Sequence, residues 1–140
     1  ALPLLRKYSD IKFISNHNFQ FIPDGMEHGF YKFCLEHKIK HNVYEDIKSS
    51  IPLKGDAFLV VSDHDLIELL KISLSRKWKL GKDIGILSYD ETPLKEILAG
   101  GISVISTNFR KMGETAADMI KKRIFKKTSN PYLFLERKSL

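Results

Sequence analysis

The sequence has little that would point to secretion, membrane insertion or disulfide cross-linking. Its 140 residues include one cysteine, Cys34, which cannot form a disulfide within the chain and gives no sign of an oxidising compartment. No stretch approaches the roughly 20 apolar residues that a membrane-spanning helix needs. The chain also opens without the basic region, apolar run and cleavage site of a signal peptide. These absences predict a cytoplasmic protein with no membrane partner.

Sequence motifs of common enzyme classes are missing as well. The chain has no Gly-x-Ser-x-Gly, Walker, Gly-x-Gly-x-x-Gly or His-Glu-x-x-His motif. Asp63, His64 and Asp65 are consecutive, but neighbouring residues at a helix start point in different directions and would need further partners to hold a metal. The five histidines are scattered along the chain. The sequence therefore predicts neither an enzyme nor a cofactor or metal site.

What the chain does have is the composition of one globular domain. It is 43% hydrophobic and 29% charged, which excludes the disordered and disulfide-scaffold classes. The net charge is +6, and the densest basic run, in residues 121–127, falls at the end of a predicted helix. Cations there complement the negative end of the helix dipole. Because no recognition-helix motif accompanies the run, we interpret it as a solvated helix end and not as a nucleic-acid surface.

Hydrophobic periodicity predicts strands and helices in alternation. Short apolar runs typical of strands alternate with segments that repeat at three and four residues, as amphipathic helices do. Predicted strands cover residues 11–15, 42–46, 57–62, 83–89, 102–107 and 132–137, and predicted helices cover residues 24–37, 63–77, 93–99 and 109–125. The connection 47–55 is too short for a full crossover helix. This order predicts an α/β fold of three layers around a mostly parallel sheet.

Capping residues predict where three of the helices begin. Asp24 with Glu27, and Ser62 with Asp65, have the spacing of a capping box. Asn108 is a suitable cap for the last helix. Each of these residues precedes or opens a segment of helical period, so the local signals agree with the periodicity.

The predicted helices also present apolar faces. The helix of residues 63–77 would turn inward the residues Leu66, Leu69, Leu70 and Leu74, and the helix of residues 24–37 would turn inward Met26, Phe30, Phe33, Cys34 and His37. Cys34 is therefore predicted to be a core residue and not a nucleophile.

Polar and aromatic side chains follow the predicted parallel strands, at the end where α/β sheets open to ligands. The candidates for ligand contact are Asn16, Tyr44, Ser62, Asp63, Asp90 and Phe109. Carboxylates and amides suit a polyhydroxylated ligand, because they fix hydroxyl groups with directional, partly charge-assisted bonds. An aromatic side chain could cover the apolar face of a sugar ring. For Ser62 and Asp63 helix capping is an equally good explanation, whereas Asp90 lies at the mouth of its strand before the next helix begins at Pro93.

Residues 55–113 contain a series of short motifs: Ser62-Asp63 at a strand end, Gly81 and Asp83-Ile84 before a strand, Tyr89-Asp90-Glu91 at its end, Thr92-Pro93-Leu94, and Met112-Gly113 in the last helix. In their order and spacing these motifs resemble the bacterial transcription regulators of the lactose-repressor (LacI/GalR) type. Upstream, Gly29-Phe30 looks like the Gly-Phe helix of that family. The resemblance is specific over about 60 residues and weaker over the first 50.

The resemblance implies the second lobe of a type I periplasmic-binding-protein-like fold. In that family a small-molecule effector, often a sugar, binds between two α/β lobes, and a separate module binds operator DNA. By resemblance, residues 1–107 form most of the second lobe, residues 108–130 form a helix that packs on a first lobe outside this chain, and residues 131–140 return as a strand. The DNA-binding module is outside this chain too, and the parent protein is expected to be a homodimer.

Individual residues carry over unevenly from the family. Asp90 matches its sugar-binding carboxylate, and Ser62 stands where many members have a ligand-binding asparagine. Met26 stands where sugar-binding members usually have arginine, so the donors of a guanidinium are missing and a simple sugar is in doubt as the effector. The resemblance also offers Asn16, Tyr44 and Phe109 as residues that line the cleft.

Two other functions are compatible with the sequence. A periplasmic sugar-binding protein of an uptake system shares the two-lobe fold, but the Tyr-Asp-Glu-Thr-Pro-Leu segment favours a regulator. A small α/β enzyme could pair Asp90 with His64 or His17 for acid–base chemistry. A helix-turn-helix or winged helix at the start of the same gene would favour the regulator over both.

Overall fold

One six-stranded sheet organises the computed structural model, which describes residues 1–18 and 21–140. The strands are β1 (Asp10–Ile14), β2 (His41–Tyr44), β3 (Asp56–Val60), β4 (Gly85–Tyr89), β5 (Ser103–Thr107) and β6 (Tyr132–Leu135), and the helices are α1 (Leu2–Leu5), α2 (Asp24–Glu36), α3 (Ile47–Ser50), α4 (Asp63–Ser75), α5 (Pro93–Ile97) and α6 (Phe109–Lys121). The strand order is β2-β1-β3-β4-β5-β6, with β6 alone antiparallel to its neighbour. The mostly parallel α/β sheet predicted from the sequence is confirmed.

Helices cover both faces of the sheet because its central strands are apolar on both sides. In β3, Ala57 and Leu59 pack in the hydrophobic cluster that contains Phe30 of α2. Phe58, which alternates with them along the strand, packs in a second cluster with Leu66 of α4. Alternating residues of a strand point to opposite faces, so α2 and α4 lie on opposite sides of the sheet. The predicted three layers are confirmed.

The predicted helix caps are confirmed at two helices and wrong at a third. The Ser62 hydroxyl accepts the Asp65 N–H at 3.1 Å at the start of α4, and the Asn108 side chain accepts the Lys111 N–H at 2.9 Å at the start of α6. At α2 the backbone places Pro23 at the N-cap, and Asp24, which was predicted to cap the helix, is its first residue. Proline favours the extended conformation of an N-cap residue here, and its carbonyl accepts the Met26 N–H.

Two further predictions about local structure need correction. The second strand ends at Tyr44, two residues before its predicted end, because Asp46 caps α3 by accepting the Ser49 N–H at 2.7 Å. Leu74 was predicted to face inward, yet it is 81% exposed. Ser73 takes the inward position beside it, with its hydroxyl donating to the Leu69 carbonyl. The buried side of α4 is therefore narrower than its leucine pattern suggests.

The last helix and the last residues have contrasting surroundings. None of the residues of α6 is buried, although Phe109, Met112 and Ile120 give it an apolar side. Residues 137–140, in contrast, form a seal: they cover the amino ends of β4 and β5 and hydrogen-bond to them. The Ser139 hydroxyl donates to the Ile86 carbonyl at 2.6 Å and accepts the Ser103 N–H at 2.8 Å, and the Ile86 N–H donates to the Ser139 carbonyl. Among the described helices, none is long and apolar enough to cross a membrane.

Candidate ligand-binding site

A polar cleft of about 430 Å³ opens at the carboxyl ends of β3 and β4. These strands are adjacent and parallel, so the residues that follow them meet at one edge of the sheet. The lining residues are Val61, Ser62, Asp63, His64, Tyr89, Asp90, Thr92 and Lys95. The structure thus brings together three of the candidates from the sequence, Ser62, Asp63 and Asp90.

Asp90 is held at the mouth of β4 by its own backbone and by the neighbouring strand. Its φ of 58° is left-handed, a conformation that aspartate tolerates better than most non-glycine residues. Its N–H donates to the Ile105 carbonyl at 2.8 Å, and its Oδ1 accepts the Thr107 N–H at 3.3 Å. No described residue donates to Oδ2. The carboxylate is therefore fixed in place with one oxygen available to a ligand.

Lys95, which the sequence analysis did not single out, connects the two carboxylate-bearing segments. It lies on α5, is 3% exposed, and its Nζ donates to the carbonyls of Tyr89 at 2.8 Å and Asp90 at 3.0 Å. The same Nζ lies 3.1 Å from Oδ1 of Asp63, whose side chain is 59% exposed. Nothing in the sequence pattern separates this lysine from the exposed ones.

Beside the cleft, Ser62 and Asn16 are engaged by a buried carboxylate. Asp65 is 1% exposed, and its two oxygens accept bonds from the Ser62 hydroxyl and, at 3.1 Å, from the Asn16 amide. Asn16 follows β1 and Ser62 follows β3, so the three side chains tie neighbouring strand ends together. Burial leaves Ser62 and Asn16 little surface to offer a ligand. The capping-box spacing of Asp65 pointed to its bond with Ser62, but it did not reveal the bond to Asn16.

The other three candidates from the sequence do not line this cleft. Met26 lines an apolar cavity of about 240 Å³ between α2 and the sheet, together with Phe30 and Leu87. Tyr44 is half-buried, packs against the cluster on the α4 side, and its ring centroid lies 5.8 Å from the Lys12 Nζ. Phe109 opens α6 and is 49% exposed. Their roles toward a ligand stay predictions.

A second polar pocket, of about 340 Å³, lies near the mouth of β1 and contains His17, Glu27 and His28. The Ser15 hydroxyl lies 3.2 Å from Nε2 of His17 and 3.4 Å from the Glu27 carboxylate. In a serine–histidine–carboxylate triad the carboxylate contacts the histidine, whereas here it contacts the serine. Among the described residues no group of three histidine, cysteine or acidic side chains is placed to hold a metal ion.

Tyr89 lines the polar cleft and remains protonated at neutral pH. Burial, followed by the hydrogen bond to the Tyr132 hydroxyl at 3.4 Å, raises the pKa of Tyr89 to about 12. The phenol is therefore a neutral group, and the charges in the cleft come from the acidic and basic side chains around it.

A family model described as a periplasmic binding protein-like domain matches residues 4–135. The chain belongs to that family. Its fold is shared by solved LacI-family regulators, although sequence identity to them is low, and no curated protein sequence matches the chain.

Three of these solved structures illustrate the similarity. A LacI-family regulator from Bifidobacterium animalis has a TM-score of 0.75 at 16% identity, with 99% of this chain and 58% of that chain covered. A lac repressor dimer bound to operator and the anti-inducer ONPF has a TM-score of 0.73 at 16% identity, with 99% and 55% covered. A regulator from Enterococcus faecalis with bound ribose has a TM-score of 0.74 at 18% identity, with 99% and 56% covered. This periplasmic binding protein-like chain thus spans little more than half the length of each.

Proposed function

We propose that this chain is the effector-sensing part of a bacterial, cytoplasmic transcription regulator and not an enzyme. Its effector is a small polar molecule, a sugar or a sugar derivative, that binds at the carboxyl ends of β3 and β4. Binding changes the arrangement of this lobe and a first lobe outside the chain, and thereby changes the affinity of a separate module for operator DNA.

The observation that carries this proposal is the pair of carboxylates, Asp63 and Asp90, on one polar cleft at adjacent strand ends. Carboxylate oxygens accept strong, charge-assisted bonds from hydroxyl groups. The fold supports the same function, since similar chains include a regulator solved with ribose and a repressor solved on its operator. The cleft is open to solvent on this lobe alone, which fits a site that a second lobe completes.

The exposed apolar side of α6 supports a second surface in the parent protein. Phe109, Met112 and Ile120 lie on a helix that has no buried residue in this chain. Covering such a side removes apolar area from water. We propose that residues 108–130 pack on the first lobe and that residues 131–140 return to this one, so that α6 links the two lobes.

The function can be tested with the complete protein and DNA from the region upstream of its gene. Fluorescence anisotropy should show binding to a segment of that DNA, and one sugar from a panel should shift the affinity by about 5-fold to 150-fold, the usual range of allosteric coupling. The proposal would be contradicted if no sugar in the panel shifted the melting temperature of the protein or altered its affinity for DNA.

We also expect the complete protein to be a homodimer. Operator-binding regulators read two half-sites with two-fold symmetry, and one of the similar structures is a dimer on its operator. Sedimentation velocity at micromolar concentration should give a single dimeric species with and without DNA. A monomer under both conditions would show that this expectation is wrong.

A further inference from the structure

The Lys95 ammonium has no donor left for a ligand. An ammonium carries three N–H donors and no acceptor. In this structure it has three oxygen partners: the Tyr89 carbonyl, the Asp90 carbonyl and the Asp63 carboxylate. Because Lys95 is 3% exposed, these partners also replace the water that would otherwise solvate it. The cleft therefore contains a positive charge that a ligand cannot contact directly.

The groups that the cleft does offer are mainly acceptors. Asp90 has one carboxylate oxygen without a donor among the described residues, and Asp63 has one oxygen beyond the contact with Lys95. The two aspartates and the lysine that line the cleft together contribute a net charge of −1. The amino end of α4 also faces the cleft, but Asp63 and Asp65 in its first turn offset its positive dipole.

Lys95 also holds the segment that presents Asp90. Its bonds to two successive carbonyls fix the chain where the backbone enters the left-handed conformation of Asp90. The Asp63 contact links that segment to the start of α4, on the other side of the cleft. A single buried side chain thus links the two segments that carry the carboxylates.

We infer that Lys95 is a positioning residue that makes this cleft select ligands bearing hydroxyl or amino groups and reject phosphorylated or carboxylated ones. This inference rests on the proposed function, because it names the chemical class of ligand for the same cleft. Like charges and unpaired acceptors disfavour an anion there, while hydroxyl and ammonium donors meet carboxylate oxygens.

The positioning role can be tested without any ligand, by hydrogen exchange on the complete protein. Lys95→Met should speed exchange of the Glu91 and Thr107 amides about tenfold or more, because it frees the segment whose hydrogen bonds protect them. Exchange in β1 should not change. Lys54→Met, which removes an exposed ion pair to Asp83 at 3.4 Å, is the matched control and should leave all these amides as they are. Unchanged exchange in Lys95→Met would overturn the positioning role.

The selectivity is tested with matched probes: ribose against ribose 5-phosphate, and glucose and glucosamine against glucose 6-phosphate. Calorimetry on the wild-type complete protein should give an affinity for each phosphate ester at least about tenfold below that of its parent sugar. Asp63→Ala frees one Lys95 donor toward the cleft and removes a negative charge, so it should narrow that difference. This variant alters an exposed side chain, and it keeps the selectivity testable even if Lys95→Met does not fold.

Two results would overturn the selectivity, and only the second would also contradict the proposed function. A phosphate ester that binds wild-type protein as tightly as its parent sugar contradicts the role given to Lys95 while leaving the proposed function intact. A protein that binds no member of either set contradicts the sugar-sensing function and with it the selectivity. In that case the exchange measurement still decides whether Lys95 positions Asp90.

Discussion

Asp90→Ala in the complete protein should weaken effector binding about tenfold to a hundredfold, and it should weaken effector control of DNA binding to match. The carboxylate would accept charge-assisted hydrogen bonds, whose loss costs about 1.5 to 3 kcal/mol each. Affinity for DNA without effector should not change, because the switch depends only on the difference in effector affinity between the two lobe arrangements. The measurement is calorimetric titration with the sugar that binds in the panel, beside anisotropy with DNA.

The left-handed backbone at residue 90 calls for a second variant. Alanine there should also cost about 1 kcal/mol of stability, since left-handed φ is unfavourable for it. Asp90→Asn tolerates that backbone and can still accept the Thr107 N–H, so the melting temperature should stay constant. Effector binding should still weaken, because the neutral amide cannot make charge-assisted hydrogen bonds. Glu96→Gln, on the exposed side of α5, removes the same charge nearby and should leave affinity unchanged. Unaltered affinity in Asp90→Ala together with a large fall in melting temperature would make Asp90 a structural residue only.

Lys12→Met should destabilise the protein by about 3 to 5 kcal/mol, the range for breaking a buried ion pair from one side. The Lys12 Nζ lies 2.7 Å from the Asp56 carboxylate, with each side chain 5% exposed. It also donates to the carbonyls of Ser50 at 2.8 Å and Ile51 at 3.2 Å. Its removal leaves the Asp56 charge buried without a counterion and frees α3 from the sheet. Urea denaturation of the complete protein measures the effect as a lower midpoint.

Two comparisons show whether the buried charge causes the loss of stability. Lys12→Met combined with Asp56→Asn should recover part of the stability, because the asparagine is neutral and its oxygen can still accept the Leu53 N–H. Lys40→Met removes an exposed lysine whose Nζ lies 3.8 Å from the buried Asp10 carboxylate. Because Asp10 keeps its hydrogen bond from the Asn42 amide at 2.9 Å, the change should cost no more than about 1 kcal/mol. If Lys12→Met costs no more than Lys40→Met, the buried pair does not stabilise the fold as we expect.

Most of the fold was predictable because its signals are local. Strands such as β3 are short runs of apolar residues, and the starts of α4 and α6 carry side chains that cap their own helices. Predictions were wrong where one local signal competes with another, as at the end of β2, where Asp46 caps the next helix instead of continuing the strand. Leu74 continues the leucine spacing of α4, but the smaller Ser73 takes the buried position at that end of the helix and Leu74 is exposed.

The candidate site was only partly predictable, because some of its contacts join residues that are far apart in the sequence. The position of Asp63 and Asp90 at one edge follows from the rule for parallel strands, which needs no coordinates. The engagement of Asn16 by Asp65 joins residues 49 positions apart, and the burial of Lys95 depends on how α5 sits over the strand ends. No sequence spacing encodes either one. The residues that shape a site indirectly were therefore the ones missed.

The seal formed by residues 137–140 has a consequence for how the protein is made. The ribosome synthesises these residues after all six strands, so the Ile86 and Ser103 N–H groups lack their native partners until translation has passed that point. A nascent chain halted before residue 137 would hold every strand of the sheet and still have the amino ends of β4 and β5 open. Unpaired groups and exposed apolar surface of this kind are what chaperones and proteases recognise. Completion of the lobe therefore waits until residues 137–140 have left the ribosome.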